Sequence, residues 1–442
     1  MIEYIERLGY KNIRASHTEQ IALWKSWYKG KIEKFHTYEI YNGKKHVKCE
    51  RASLCMAKKV CEDWANLLLN EKVTISTSDD ASTKLINEIL SRNNFRVRAN
   101  QLIETAFALG TGAFVEYLNG DDIGIDYIRA DMIFPISYDM RGVTECAFAS
   151  EKVINDKKYA YIQLHVLENG FCVVKNRLFD METGEQVPPP ADVKEDYNTH
   201  RKEPLFQIIT PNIVNSYDFA SPMGMSVFAN AIDILKGIDL VYDSYCNEYR
   251  LGKKRIIVPQ TMAQAYSDET GTKPMFDERD TVFYGLNSGN DEMSITSIDP
   301  SIRSAEHKEG LQEQLNLFSD SCGLGTDRYS FENQGVKTAT EVISEKSELF
   351  QNLQKHEIIL NHALTGMARA VLFLGGKDEN IDIKIDFDDS IIHDTDTEFN
   401  QNMQLVSAGI MPAWEFRTWW FNESEQQAKQ MISSEFEGVP EE

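Results

Sequence analysis

One long apolar period near the C-terminal end constrains this chain most. Leu349, Leu353, Leu360, Leu364, Met367, Val371 and Leu374 recur at helical spacing, and the run stops at Gly375-Gly376. With Thr338 or Thr340 as the N-cap and Glu341 in the first turn, the pattern predicts a helix of about 35 residues. At ~1.5 Å per residue that is a rod of roughly 50 Å, which is long for a compact enzyme.

The rest of the chain is ordinary globular sequence. The whole chain has 442 residues, 42% hydrophobic and 26% charged, enough for two or three domains with a sizeable core. Lys and Arg number 46 against 69 Asp and Glu, a formal net charge of −23. Such a surface repels phosphates, which argues against a conventional tight DNA- or RNA-binding protein. It leaves room for a protein that DNA passes through without sticking. The longest apolar runs, "AFALG" and "AVLFLGG", fall short of a membrane span, and "MIEYIERLGYKNIRASHTEQ" lacks the apolar core of a secretory signal. Seven cysteines without a CxxC pair predict buried reduced thiols rather than a disulfide framework.

The first half reads as helix, then β. Leu54, Ala57, Cys61, Trp64 and Leu68 place a helix across 50–69, followed by the strand "KVTIST". A second helix covers "NFRVRANQLIETAFALG" and ends at Gly110 and Gly112. The alternating runs "GAFVEYL", "IGIDYI", "MIFPIS", "ECAFAS", "YIQLHVL" and "GFCVVKNRLF" then predict a β-rich stretch to about residue 210, with a surface loop at Pro188–Pro190.

The second half changes character. Ser226 is the expected N-cap of a helix reaching Leu251, with the stripe Val227, Ala231, Ile234, Ile238, Tyr242, Tyr245 and Tyr249. Gly252 ends it, and 253–300 reads as loop and strand, with strands in "RIIVPQ", "TVFYGL" and "SITSI". A return helix is expected from Asp299-Pro300, carrying Leu311, Leu315, Phe318 and Cys322. The glycine-rich "GLGTDRYSFENQGVK" separates it from the long helix, and the strand "IDIKIDF", an acidic loop and further helices complete the chain.

No motif carries catalytic chemistry. GxSxG and HExxH are absent, and His356 and His362 stand six apart on the long helix, off a common face. Gly110-Thr111-Gly112 and Gly323-Leu324-Gly325 lack the Walker lysine and hydroxyl and read as helix terminators. Asp386, Asp388, Asp389, Asp394, Asp396 and Glu398 offer oxygen ligands but lack EF-hand spacing. Capping by Asp394 or Thr395, with Glu398 in the first turn, accounts for much of that cluster. Lys253-Lys254-Arg255 suits a helix C-terminus through its dipole, or else a local basic ring facing DNA.

The order of elements in the second half, "DLVYDSYCNEYRLGKKRIIVP", a β segment, "PSIRSAEHKEGLQEQLNLFSDSCGL", a glycine-rich loop and "GVKTATEVISEKSELF", resembles the portal proteins of tailed bacteriophages with long non-contractile tails. "CEDWANLLLNEKVTIS", "ALGTGAFVEYL", "YIRADMIFPIS" and the C-terminal "LVSAGIMPAWEFRTWWFNESEQQAKQMISSEFE" are similar to other parts of that family, so the resemblance covers nearly the whole chain.

The resemblance implies an α+β subunit with a mixed α/β wing at 1–225, and a stem of two helices at 226–252 and 301–322. It further implies a small β-containing clip at 253–300, a tunnel loop at 323–338, a long wing helix and strand at 339–393, and a short helical crown at 394–442. Gly323, Gly325, Asp327, Tyr329, Asn333 and Gly335 would belong to the tunnel loop; Lys253, Lys254, Arg255, Arg328 and Lys337 would be the cations nearest DNA. It also implies a ring of about twelve copies at one capsid vertex, the heterologous, closed kind of assembly. Such a ring conducts double-stranded DNA without sequence specificity during packaging and ejection. Its partners are the major capsid protein, scaffold, a terminase motor and a head–tail connector, with no membrane, no cofactor and no enzymatic activity of its own. It is assembled in the host cytoplasm and ends in the virion.

Three readings of the residues agree with this. A helix–β–helix hairpin can repeat around a ring, excess negative charge lets a duplex slide, and "GLGTDRYSFENQG" has few apolar anchors. The rival readings are a soluble metal-dependent hydrolase using the 386–398 cluster and another virion structural protein, such as a capsid or connector subunit.

Overall fold

The computed structural model describes residues 1–442 other than 12–16, 42, 44, 71–72, 121, 192, 260–265, 269–270, 274–282, 287–295, 332–338, 388–394, 422–424 and 437–442. The fold is α+β. The chain divides into two compact units, one formed by 1–71 with 75–385 and the other by 386–442 with 72–74.

The large unit is built on two antiparallel sheets. Strands Ile133–Asp139, Gly142–Ile154, Lys157–Glu168, Phe171–Asp180 and Gln186–Val187 form a meander in chain order, and Asp196–Asn198 also pairs with Phe171–Asp180. Side chains alternate across the pleat. Ala147, Ala149, Ile162, Leu164 and Val173 face one way and are buried under the N-terminal helix Ile2–Arg7, whose Ile5 is fully buried and whose Tyr4 stacks on Phe179 at 4.8 Å. Cys146 and Phe148 face the other way, into a second core with Ala113, Val115 and Phe206. Those three belong to the second sheet, in which Gly112–Asn119 lies between Asp122–Arg129 and Phe206–Ile209.

Helices Thr18–Tyr28, Met56–Leu68, Asp80–Arg92, Phe95–Leu109 and the long helix Ala339–Leu374 belong to the same unit, as do the helical hairpin and β segment of residues 232–321. The long helix has the predicted extent, 36 residues ending at Gly375. Leu353, Leu360, Leu364, Met367 and Val371 are buried as the period requires. Gly366 lets it lie close to strand Phe206–Ile209, because a Cβ there would stand 2.5 Å from Gln207 Cδ. The buried Trp64 ring meets His356 edge-on at 4.8 Å and lies 5.9 Å from Phe107, tying three helices together. His356 Nδ1 accepts the Asn212 backbone N–H at 3.0 Å, and burial holds its pKa down at about 3, so the ring is neutral.

Several sequence expectations need correction. The helix expected across 50–69 begins only at Met56, because 51–55 is non-helical and its amides serve other partners. The helix Asp80–Arg92, capped by Asp79 on the Ala81 and Ser82 amides, escaped the reading. Gly110 ends its helix in the left-handed region at φ +85°, whereas Gly112 starts a strand. Cys55 and Cys246 are exposed rather than buried. Residues Glu348–Leu374 are, by length and hydropathy alone, apolar enough to cross a membrane, which a search for unbroken apolar runs overlooks. The domain core claims much of that apolar surface.

The small unit contains helices Thr395–Ser407, Ala413–Phe421 and Glu425–Phe436. Phe399, Phe416 and Trp420 cluster in it, with Phe399 and Trp420 ring centres 4.7 Å apart.

Candidate functional site

The helical hairpin and the loop that follows it carry the features singled out in the sequence. Ser226 does not start the first hairpin helix. Its buried hydroxyl accepts the Phe228 amide at 3.4 Å, a 3₁₀ turn follows at Ala229–Ala231, and the helix runs Ile232–Leu251. The return helix runs Ser304–Ser321 and starts beyond Pro300, because strand Thr296–Ile298 extends the β segment up to it. Leu311, Leu315, Phe318 and Cys322 are buried as expected. The two helices approach closely at Gly237, where a Cβ would collide with Gln314 Oε1 of the return helix.

The buried side of the first helix differs from the all-apolar stripe. It runs through Leu235, Ile238, Asp239 and Asp243, while Tyr249 is half exposed and shares a hydroxyl–hydroxyl bond of 3.1 Å with Tyr245. Asp239 and Asp243 root the helix in the N-terminal segment. Asp239 Oδ1 accepts the Leu54 amide at 2.8 Å, and Oδ2 accepts Ser53 Oγ at 3.0 Å and His36 Nε2 at 2.9 Å. His36 Nδ1 already accepts the Ile32 amide at 2.9 Å, which assigns the ring proton to Nε2. Asp243 accepts the Ala52 amide at 3.0 Å and Asn247 Nδ2 at 3.1 Å. A buried carboxylate supplied with several donors is held in place; one without them would be costly.

At the far end, Glu248 Oε1 accepts Arg303 Nε at 2.9 Å and lies 3.5 Å from His307 Nε2, clasping the helices where the β segment begins. The Arg303 hydrogen bond, with His307 beside it, holds the Glu248 carboxyl below its usual range. Exposed Lys253 and Lys254 follow Gly252, whose amide donates to Glu248 O at 2.7 Å. Arg255 begins strand Arg255–Pro259, which pairs with Phe283–Leu286 in parallel and with Thr296–Ile298 antiparallel. A short hairpin, Tyr266–Asp268 with Gly271–Lys273, was not expected from sequence.

The loop after the return helix is firmly attached at its start. Gly323 and Gly325 take φ of +79° and +77°, the terminator role expected of them. Trp64 Nε1 donates to Cys322 O at 3.1 Å, and Asn352 Nδ2 to Gly323 O at 3.1 Å. Tyr329 Oη donates to the buried Asp63 at 2.9 Å, with Arg328 Nη2 3.5 Å and Lys59 Nζ 2.7 Å from the other carboxylate oxygen. Burial, then the Asp63 charge, push the Tyr329 phenol up. Gln312 holds Tyr329 O and the Phe331 amide at 3.3 and 3.0 Å. Polar contacts therefore hold 323–331 in place, which a reading of the loop's few apolar anchors does not reveal. Asp327 is exposed in that turn, and Asn333, Gly335 and Lys337 lie outside the described residues.

The candidate cations fall into two groups. Lys253, Lys254 and Arg255 sit where the β segment joins the hairpin, and Arg328 lies beyond the other end of the 18-residue return helix. That helix alone spans about 27 Å. Among the described residues no group of three His, Cys, Asp or Glu is placed to hold a metal ion. Asp386 ends strand Ile383–Asp386, while Asp388, Asp389 and Asp394 lie outside the described residues, as do the side chains of Asp396 and Glu398. Sequence reasoning missed His36, Asp63, Asp239 and Asp243. Asp239 and Asp243, four apart within an apolar helix face, were the available signal.

These elements define a structural subunit with a rooted helical hairpin, tipped by a small β segment and followed by an anchored loop. The family described as phage portal protein, SPP1 Gp6-like, matches residues 9–437, and the chain belongs to it. No curated protein matches its sequence. A chain from the virion of a native gene transfer agent particle is similar at a TM-score of 0.42 and 10% identity, over 82% of this chain and 88% of that one. Membership gives the chain a structural role in the virion as a portal protein, in a family that is not enzymatic.

Proposed function

We propose that this chain assembles into a ring of about twelve copies that forms the DNA conduit at one capsid vertex, a closed heterologous arrangement. Family membership carries the reading. The hairpin supports it physically: rooted through Asp239 and Asp243 and clasped at Glu248, it is a stiff element of the kind a channel wall repeats. The net charge of −23 disfavours phosphate binding over most of the surface, which suits passage of a duplex. The β segment is the docking face for an ATP-driven terminase and later for a connector, since the chain has no nucleotide-binding signature of its own. Lys253, Lys254, Arg255 and Lys337 are the cations nearest DNA, with Arg328 committed in part to Asp63.

The test is native mass with negative-stain imaging of the same fraction. Closed rings near ~606 kDa, twelve times the 50.5 kDa chain, are expected. A monomer or dimer unchanged by concentration or salt refutes the ring. Charge reversal at Lys253 and Lys254 that leaves DNA packaging and retention intact removes the channel assignment of those residues.

A further inference from the structure

The strands Thr37–Tyr41 and His46–Glu50 form a two-stranded ribbon that pairs with no third strand among the described residues. An isolated two-stranded ribbon is marginal in water, so its persistence needs support. The root has that support. His36 is tied to Asp239, the Arg51 amide donates to His36 O at 2.7 Å, and Arg51 lies over the Phe35 and Tyr38 rings at 4.3 and 5.0 Å. Beyond the root the described side chains are mostly open to solvent. Glu39, Ile40, Tyr41, His46 and Lys48 are exposed, Ile40 by 48% and Tyr41 by 60%.

The register places Tyr38 opposite Cys49 and Ile40 opposite Val47, so these four apolar side chains share one face. The ribbon is thus amphipathic; among the described residues its apolar face joins no buried core, with Ile40 exposed and Tyr38, Val47 and Cys49 half-buried. Its charge is equally distinctive. Residues 37–51 hold Lys44, Lys45, Lys48 and Arg51 against Glu39 and Glu50, a net of +2, whereas the remainder of the chain carries −25.

We propose that this ribbon is an arm that docks on the acidic surface of a second copy of the chain, its Tyr38, Ile40 and Val47 face covered there. The inference rests on the oligomer proposed above. Two arguments choose a second copy as the occupant. A basic patch and a strongly acidic remainder on the same chain are complementary between copies. An arm that meets a different surface of its neighbour also makes a heterologous contact, the kind that closes a ring. A rigid root lowers the ordering cost of docking, since the arm is already extended.

The experiment compares the full-length chain with Ile40→Glu and with Lys45→Glu/Lys48→Glu, by sedimentation across protein and NaCl concentration. Assembly of the unaltered chain should weaken with salt, and each variant should need about tenfold more protein to assemble while keeping its circular dichroism. In parallel, amide exchange of 37–50 should slow in the unaltered oligomer relative to its monomer, a readout that stands even where a variant fails to fold. Variants that assemble normally, with exchange at 37–50 unchanged by assembly, overturn the arm and leave the ring intact. Normal assembly with loss of DNA retention assigns the ribbon to nucleic acid and also overturns the proposal. An unaltered chain that stays monomeric at every concentration overturns the ring reading itself, and the arm with it.

Discussion

Removing the Tyr329 hydroxyl should release the loop after the return helix. That hydroxyl donates to Asp63, which is only 5% exposed, at 2.9 Å. A hydrogen bond to a charged group is worth about 1.5–3 kcal/mol, so Tyr329→Phe should raise the open population of the loop by ~10-fold to over 100-fold. Trypsin reports this directly through the rate of cleavage after Arg328, which follows the open population when reclosing is fast. Asp63→Ala should give at least as large an increase, since Arg328 and Lys59 lose their partner too. In the Asp63→Ala background, Tyr329→Phe should add almost nothing, because the bond it removes is already gone. Unchanged cleavage in Tyr329→Phe, or effects that multiply in the double variant, would refute the anchoring argument.

Acid should destabilise the fold through two imidazoles. His165 and His356 have folded pKa values of about 3 because burial disfavours the charged ring, against about 6.5 in an unfolded chain. Stability is therefore intact above about pH 6.5 and falls by ~1.4 kcal/mol per pH unit for each group as pH drops towards 3. His165→Leu should remove one proton's worth of that slope, measured as the urea midpoint against pH. Glu116 has the opposite sign. It is buried without a hydrogen-bond partner for either carboxyl oxygen among the described residues, and desolvation, partly offset by Arg201, raises its pKa to about 8. Its penalty grows as pH rises from about 4.5 to 8, so Glu116→Gln should stabilise the chain by on the order of 3 kcal/mol at pH 8 and by little at pH 4. Gly110→Ala should cost about 2–5 kcal/mol in urea unfolding, from a left-handed alanine and a Cβ placed 2.5 Å from Gly224 O.

What the sequence revealed follows from which forces act locally. The 36-residue helix, the strands from Gly112 to Asp180 and the buried set Leu311, Leu315, Phe318 and Cys322 were legible because periodicity is set by burial on one face. Element starts were not. Ser226 and Pro300 carry the right local chemistry for helix starts, yet the Ser226 hydroxyl only accepts the Phe228 amide ahead of a 3₁₀ turn, and strand Thr296–Ile298 precedes Pro300 in extended form. The anchoring acids were hidden for a different reason. Asp63, Asp239 and Asp243 find partners far away in the chain, at Tyr329, His36 and Ala52, and no local window contains both ends of such a bond. The cysteine expectation failed at Cys55 and Cys246 because burial there is decided by neighbouring elements rather than by residue type.

The bonds of Asp239 make the first hairpin helix a lever. One carboxylate holds His36, where the ribbon begins, and also Ser53 and Leu54, just past the point where it returns. Both strands are thereby pinned to a single turn of helix, and any torque on the helix is delivered to the ribbon as a swing of its tip. Small changes in tilt at that turn become larger displacements at Ile40 and Tyr41, and a load on the tip is returned to the helix along the same path.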